Sequence, residues 1–219
     1  MNKKLVVAID GPAGAGKSTV AQLAAKQLGY TYIDTGAMYR AVAWKTLQQH
    51  KPVTDELILS VVPDIDVDLR YAGGKTTVTV DGTDVTAAIR TPEVSHIVSQ
   101  VAALGQVREK MVALQRKMAE RGGVLMDGRD IATNVLPNAD VKIYLTASVE
   151  ERAQRRWKEM QEKGYDMTLE ELQKDIEARD KADMEREISP LVQAEDATLL
   201  DTTGLSIDEV VEKILGMCR

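Results

Sequence analysis

The sequence predicts an α/β fold built on a parallel sheet, and three observations carry that prediction. A continuous apolar, partly β-branched run at 5–9 reads as a buried strand and leads through a glycine-rich turn into a helical repeat. Further short apolar runs at 31–33, 124–126 and 141–145 alternate with helical patterns, as βα units require. In the middle of the chain the period changes to strict alternation, which marks an antiparallel patch set into the βα pattern.

Each element has its own signal. After the first strand, Val20, Leu23, Ala24 and Leu28 recur at helical spacing, and Gly29 is placed to cap that helix at its C-terminus. The strand at 31–33 is broken by Asp34-Thr35-Gly36, and a helix is expected over 37–49. Alternating strands are expected at 65–69, 76–80 and 83–85, with Gly73-Gly74 and Asp81-Gly82 as hairpin turns. This patch reads as an insertion spanning 63–92. Val107, Met111, Leu114 and Met118 share a helical face that Gly122-Gly123 terminates. The strand at 124–126 runs into Asp127. Two charged helices follow the strand at 141–145, over 149–163 and 169–187, joined at Gly164-Tyr165. A short strand at 198–200 precedes a closing amphipathic helix with Ile207, Val210, Val211, Ile214 and Leu215 on one face.

The bulk properties exclude several classes. The chain has 219 residues, 44% hydrophobic and 28% charged, which is ample for a folded core and unlike a disordered segment. A net charge of -6 argues against wrapping duplex nucleic acid, so any bound anion must meet a local basic pocket. The single cysteine, Cys218, supports neither an internal disulfide nor a metal cluster and points to a reducing, cytoplasmic setting. No run is long enough for a signal-peptide core or a membrane span.

Gly11-Pro12-Ala13-Gly14-Ala15-Gly16-Lys17-Ser18 matches G-x-x-x-x-G-K-[ST] in full, between a buried strand and an amphipathic helix. The glycines let the backbone fold around a polyphosphate with several N–H groups pointing inward. The helix that begins near Lys17 adds its positive end. Lys17 would bridge the β- and γ-phosphates of ATP and Ser18 would place its hydroxyl on magnesium.

Three further segments narrow the reading: Asp34-Thr35-Gly36-Ala37-Met38-Tyr39-Arg40, Asp127-Gly128-Arg129-Asp130, and Arg179-Asp180-Lys181-Ala182-Asp183-Met184-Glu185-Arg186. Together with the phosphate loop they closely resemble the bacterial cytidylate kinases, over nearly the whole chain. The resemblance implies a doubly wound parallel sheet with a CMP-binding antiparallel insertion and a short helical lid at about 150–168. It implies that Gly11 to Thr19, with Thr19 the last of the loop, hold ATP. Thr35 and Arg40 would help hold the acceptor; many relatives carry Ser where this chain has Thr35, a change that keeps the hydroxyl. It places Ser99 near the base or sugar, Arg108 on the acceptor, Arg129 on phosphate and Asp130 on the cytosine side. Arg179, Asp183 and Arg186 would close over the sugar and phosphates.

The same residues have a reading of their own. Phosphoryl transfer needs several cations where two phosphorylated substrates meet, and the arginine fork suits phosphate oxygens. Arg129 follows a buried strand on the side where such folds bind ligands. Arg179 and Arg186 share a helix face with Asp183, which an i,i+4 ion pair would explain equally well. Arg152, Arg155 and Arg156 form a basic stripe; Arg156 is assigned to ATP, although Glu150, Glu151 and Glu159 make a solvated salt-bridged helix an equal contender. Asp127 is assigned to magnesium with Ser18, with Asp34 as an open alternative. His50 and His96 read as ordinary polar residues, and Trp44 and Trp157 as packing residues. The expectation is therefore a kinase that takes ATP, Mg2+ and CMP or dCMP, with Lys17, Arg129 and Arg179 at the chemistry; the resemblance implies a monomer. A kinase for another small acceptor such as shikimate, or a non-catalytic nucleotide switch, are the rival readings.

Overall fold

The computed structural model describes residues 4–219. Its main sheet has five parallel strands in the order β2-β6-β1-β7-β8, formed by β1 (Val6–Asp10), β2 (Thr31–Asp34), β6 (Val124–Gly128), β7 (Val141–Thr146) and β8 (Thr198–Asp201). β1 sits in the centre, so its C-terminal end faces the ends of β6 and β7. Asp10 stands in register with Gly128 and Tyr144, and Asp34 with Asp127. The strand order reverses at β1, the crevice where open α/β sheets place their ligands.

Alternation along β1 sorts the two faces. Val7 and Ile9 pack with Leu125, Ile143 and Leu145 against α1 (Lys17–Leu28) and α8 (Ile207–Met217). Ala8 points the other way, with Ile33 and Met126, toward Val112 and Ala119 of α5 (Gly105–Ala119). Helices on both faces make the sheet doubly wound. Each fully buried Val, Leu or Ile side chain here contributes roughly 2 kcal/mol by removal from water.

A second, antiparallel sheet of β3 (Val67–Ala72), β4 (Lys75–Val80) and β5 (Thr83–Asp84) turns at Gly73-Gly74 and Asp81-Gly82, all in positive φ. Its Val67, Val78 and Val80 pack with α2 (Thr35–Leu47), α3 (Asp55–Val61) and α4 (Pro92–Ala103). The expected strand at 65–69 begins later, because the Ile65 amide still bonds the Val61 carbonyl at the end of α3. α3 and α4 were not expected. Both have caps that were open to reading: Thr54 accepts from Leu57, and Thr91 accepts from Val94 with Pro92 in the first turn. Ser99 therefore lies on a helix. α2 starts two residues earlier than expected, since Asp34 caps it through the Ala37 amide.

The charged pair appears as α6 (Val149–Glu162) and α7 (Leu169–Glu185), the latter opened by a capping box of Thr168 and Glu171. Trp44 packs against the core, but Trp157, expected to pack as well, is exposed on α6 beside the exposed Lys158, away from the buried Ala153 and Met160.

After β6 the chain makes a π-helical turn over Ile131–Val135, held by Asp10, whose two carboxylate oxygens accept the Ile131 and Ala132 amides at 2.8 and 2.8 Å. Gly11, at φ 153, passes so close to β7 that a Cβ would stand 1.9 Å from the Leu145 carbonyl oxygen. Gly11→Ala should therefore cost roughly 3 kcal/mol of unfolding free energy, at the high end for overpacking, as read by denaturant titration. Asp10 gives a pH signature. Burial pushes its carboxyl from 3.8 up to about 6, against the pull of the two amides. The folded state thus holds this proton more tightly than the unfolded chain. The resulting contribution is complete below 3.8 and is lost as pH rises through about 6. The stability of the parent relative to Asp10→Asn should fall between about pH 4 and about pH 7, by an amount on the order of 2 kcal/mol.

Candidate active site

The phosphate loop leaves β1 at Gly11 and enters α1 through Gly16, which is left-handed at φ 86, as Gly14 is at φ 73. Only glycine adopts these angles without strain, and they curl the backbone into a cradle at a helix N-terminus. Pro12, Ala13 and Ala15 complete its wall, with Ala13 and Ala15 buried. Lys17 is buried across the loop, its Nζ donating to the Pro12 carbonyl at 2.8 Å. Burial, and next the Arg129 charge, push its ammonium down to about 7. A polyphosphate in the loop would reverse that balance.

Ser18 Oγ donates to Asp127 Oδ2 at 3.1 Å, and Tyr32 OH donates to Asp127 Oδ1 at 2.8 Å. Burial, then the neighbouring Asp34, raise the Asp127 carboxyl to about 6. Asp34 is already engaged: it caps α2, and Arg90 holds it below the ordinary carboxylate range against the effect of burial. Of the two acids left open by the sequence, Asp127 makes no ion pair among the described residues. A hydroxyl beside one buried carboxylate fits a magnesium ion, which takes few protein ligands and completes its shell with phosphate oxygens and water. Among the described residues no larger cluster of metal-binding side chains exists. A cavity of about 310 Å³ opens here, lined by Ser18, Thr19, Tyr32, Asp34 and Arg90.

Arginines gather on the other side. Arg129, following β6, donates through Nε to Asp183 of α7 at 2.8 Å, and Ser99 Oγ approaches the second Asp183 oxygen at 3.4 Å. Asp183 thus joins α4, α7 and the β6 edge. It makes no ion pair with Arg179, so the i,i+4 explanation does not hold. Arg108 is buried against Asp130 in a short ion pair and lies 5.5 Å over the Tyr39 ring. Arg186 reaches the other Asp130 oxygen at 3.6 Å and donates to the Ser189 carbonyl.

Two cations are left over. Arg40 donates only to uncharged oxygens, Ile89 O at 3.3 Å and Ser95 Oγ at 2.8 Å. Burial, then the Arg179 and Arg90 charges, bring it down to about 9. Arg179 makes no ion pair among the described residues, its buried Nε has no hydrogen-bond partner, and burial and Arg129 bring it down to about 10. Guanidiniums that crowd one another without enough carboxylates form a site for an anion.

Other expected residues are placed differently. Thr35 donates its hydroxyl hydrogen to the Asp127 carbonyl at 2.7 Å, so it ties α2 to β6. Arg156 pairs with Glu159 at 2.8 Å, as the salt-bridged reading anticipated. Arg155 pairs with Glu151 in the same way and also donates to the Ala15 carbonyl of the phosphate loop at 3.3 Å, while Arg152 donates to the Ala13 carbonyl at 2.9 Å. Sequence reasoning missed Arg90, Tyr32 and Asp180. Arg90 ends a short 3-10 turn, and nothing local distinguishes it; Asp180 was quoted only as part of a motif.

Comparison with known proteins shows the family. The family model described as cytidylate kinase matches residues 7–219. A cytidylate kinase of Desulfitobacterium hafniense (strain Y51) is 55% identical over 99% of this chain and 94% of its own length. One of Bacillus thuringiensis (strain Al Hakam) is 53% identical over 99% and 97%. Among solved structures, an uncharacterized protein from Eubacterium ventriosum shares the fold with a TM-score of 0.54 at 12% identity, covering 98% of this chain and 97% of that one. With a match that takes in the phosphate loop, the β6 edge and α7 alike, the chain belongs to the cytidylate kinase family.

Proposed function

We propose that the chain transfers the γ-phosphoryl group of ATP to CMP or dCMP, giving ADP and CDP or dCDP, by direct in-line transfer. The observation that carries this is the surplus of arginine beside the phosphate loop: among the described residues Arg40 and Arg179 make no ion pair. A nucleotide switch needs one polyphosphate site, whereas this arrangement provides charge for a second phosphorylated ligand.

ATP would lie in Gly11 to Thr19 with Lys17 on the β- and γ-phosphates and Arg156 at the rim. Ser18 and Asp127 would hold magnesium, which neutralises phosphate charge when bound. Arg40, Arg129 and Arg179 would take the acceptor phosphate and the transferring group. Arg108 and Asp130, locked together beside Tyr39, offer a donor and an acceptor to a pyrimidine edge, with Ser99, Asp183 and Arg186 toward the base and sugar and Thr35 backing the wall. No strong base is required, since the attacking phosphate oxygen is already anionic. Catalysis is then positioning and charge neutralisation in a site that excludes water. The antiparallel segment at 63–92 would shape the acceptor side, and the 150–168 region would act as lid.

We place this enzyme in the cytoplasm as a monomer. The lone, half-buried Cys218 supports a reducing setting, and family membership supports the monomer. Among the described residues no helix is long and apolar enough to cross a membrane.

Release of ADP from magnesium-ATP should depend on CMP or dCMP and stay at background with AMP or shikimate. Turnover with another acceptor would keep the kinase and remove the assigned roles of Ser99, Asp130 and Asp183. ATP binding without acceptor-dependent release would favour the switch. Lys17→Met should lower kcat by about 100-fold or more. Its melting temperature should hold or rise, because the unliganded site disfavours the charge that the variant removes. A variant with full turnover would overturn the phosphate-loop assignment.

A further inference from the structure

The outer side of the phosphate loop is held by an ion pair that the reaction itself does not need. Arg152, on the first turn of α6, is 5% exposed at its side chain, and its Nη1 lies 2.6 Å from Asp180 Oδ2 of α7. The same Nη1 donates to the Ala13 carbonyl at 2.9 Å, and Nε donates to the Ala147 carbonyl at 2.9 Å. The other Asp180 oxygen accepts the Ala13 amide at 3.4 Å. Both backbone polar groups of Ala13 are therefore taken by one buried Arg–Asp pair. The loop also abuts these helices: a Cβ on Gly14 would stand 3.3 Å from Arg152 Cβ and 3.6 Å from Ile176 Cδ1. One turn on, Arg155 reaches the Ala15 carbonyl.

Asp180 is flanked on α7 by residues that face the acceptor. Arg179 precedes it, and Asp183, three residues on, holds Arg129 and Ser99. A single helix thus grips the loop for one nucleotide and the side chains for the other.

We propose that Arg152 and Asp180 are a positioning pair for the phosphate loop, and that through α7 they couple ATP affinity to occupation of the acceptor site. A buried pair with four polar contacts fixes the Ala13 peptide plane, and with it the direction of the amides from Gly14 onward. Arrangement of Arg129 and Asp183 around an acceptor fixes α7, which lowers the ordering cost left for ATP. This role asks neither residue to touch a phosphate.

The coupling half rests on the acceptor being a cytidine monophosphate; the loop-positioning half does not. The test is calorimetric binding of a non-hydrolysable ATP analogue, with and without CMP, alongside thermal melting. Arg152→Met/Asp180→Leu replaces the pair with apolar side chains and leaves no buried charge unpaired, so it should fold. Analogue affinity should fall by about tenfold or more, while CMP affinity measured alone changes by less than about twofold, and the factor by which each ligand favours the other should move toward one. Arg152→Lys keeps the charge but not the planar fork that serves three oxygens, and should shift the same readings less far. Lys174→Gln, exposed on α7, should behave as the parent. Parental analogue affinity in Arg152→Lys, together with either parental affinity or failure to fold in the double variant, would reduce the pair to a structural tie and overturn the proposal. If the parent does not bind CMP, the acceptor assignment fails, while the analogue arm still reads the loop.

Discussion

The site depends on the carboxylate of Asp127. It lies buried at the C-terminal end of β6, in register with both β1 and β2, where its two oxygens receive Ser18 of the phosphate loop and Tyr32 of β2. Its own carbonyl receives Thr35 at the start of α2. Loop, strand edge and acceptor-side helix are thereby referred to one residue. Strain is avoided because Gly128 follows: a Cβ there would stand 2.5 Å from the Thr35 hydroxyl. Sheet register thus becomes site geometry, since a change in the β1–β6 pairing would move Asp127 away from Ser18.

Around that point the fold orients arginines with buried aspartates. Asp34 takes Arg90, Asp130 takes Arg108 and Arg186, Asp183 takes Arg129, and Asp180 takes Arg152. A lone buried guanidinium is costly, and one held by a carboxylate presents its remaining N–H groups in a fixed direction. The pairs therefore act as brackets, and Arg40 and Arg179 carry the uncompensated charge. An acidic chain can bind polyanions in this way because its excess negative charge lies elsewhere, on exposed helix faces such as that of Glu170 and Glu177 on α7.

The parallel sheet, the phosphate loop and the two charged helices were legible in the sequence because each rests on a local pattern: a buried run, a glycine spacing, a charged stretch bounded by glycine. α4 went unread although Thr91, Pro92 and the Val94, Ile97, Val101 repeat announce it. Contacts across the chain were not legible. That Asp183 serves Arg129, 54 residues away in sequence, instead of Arg179 follows only from the packing of α7 against α6 and α4, which carries it to the residue after β6. The bond from Asp180 to Ala13 spans 167 residues and has no sequence signal at all. Motif spacing names the residues that gather; the topology decides which of them pair.

A last consequence concerns where the fold leaves polar groups unmet. Among the described residues, the buried side-chain atoms without a hydrogen-bond partner are Tyr39 OH, Thr76 Oγ1, both amide atoms of Gln115, Arg108 Nε, Arg179 Nε and Arg186 Nη2. All but Thr76 belong to the arginine cluster or to its immediate wall, since Arg108 lies over Tyr39 and shares one face of α5 with Gln115. Buried polar groups ordinarily find partners, because leaving one unmet costs about 1–3 kcal/mol. Their concentration on the acceptor side, with the donor side bonded through Lys17, Ser18 and the Ala13 clamp, makes the unliganded protein least settled where the acceptor would lie. The physical asymmetry is that the loop is held by the protein's own bonds, whereas the acceptor wall keeps donors and acceptors whose partners the fold does not supply.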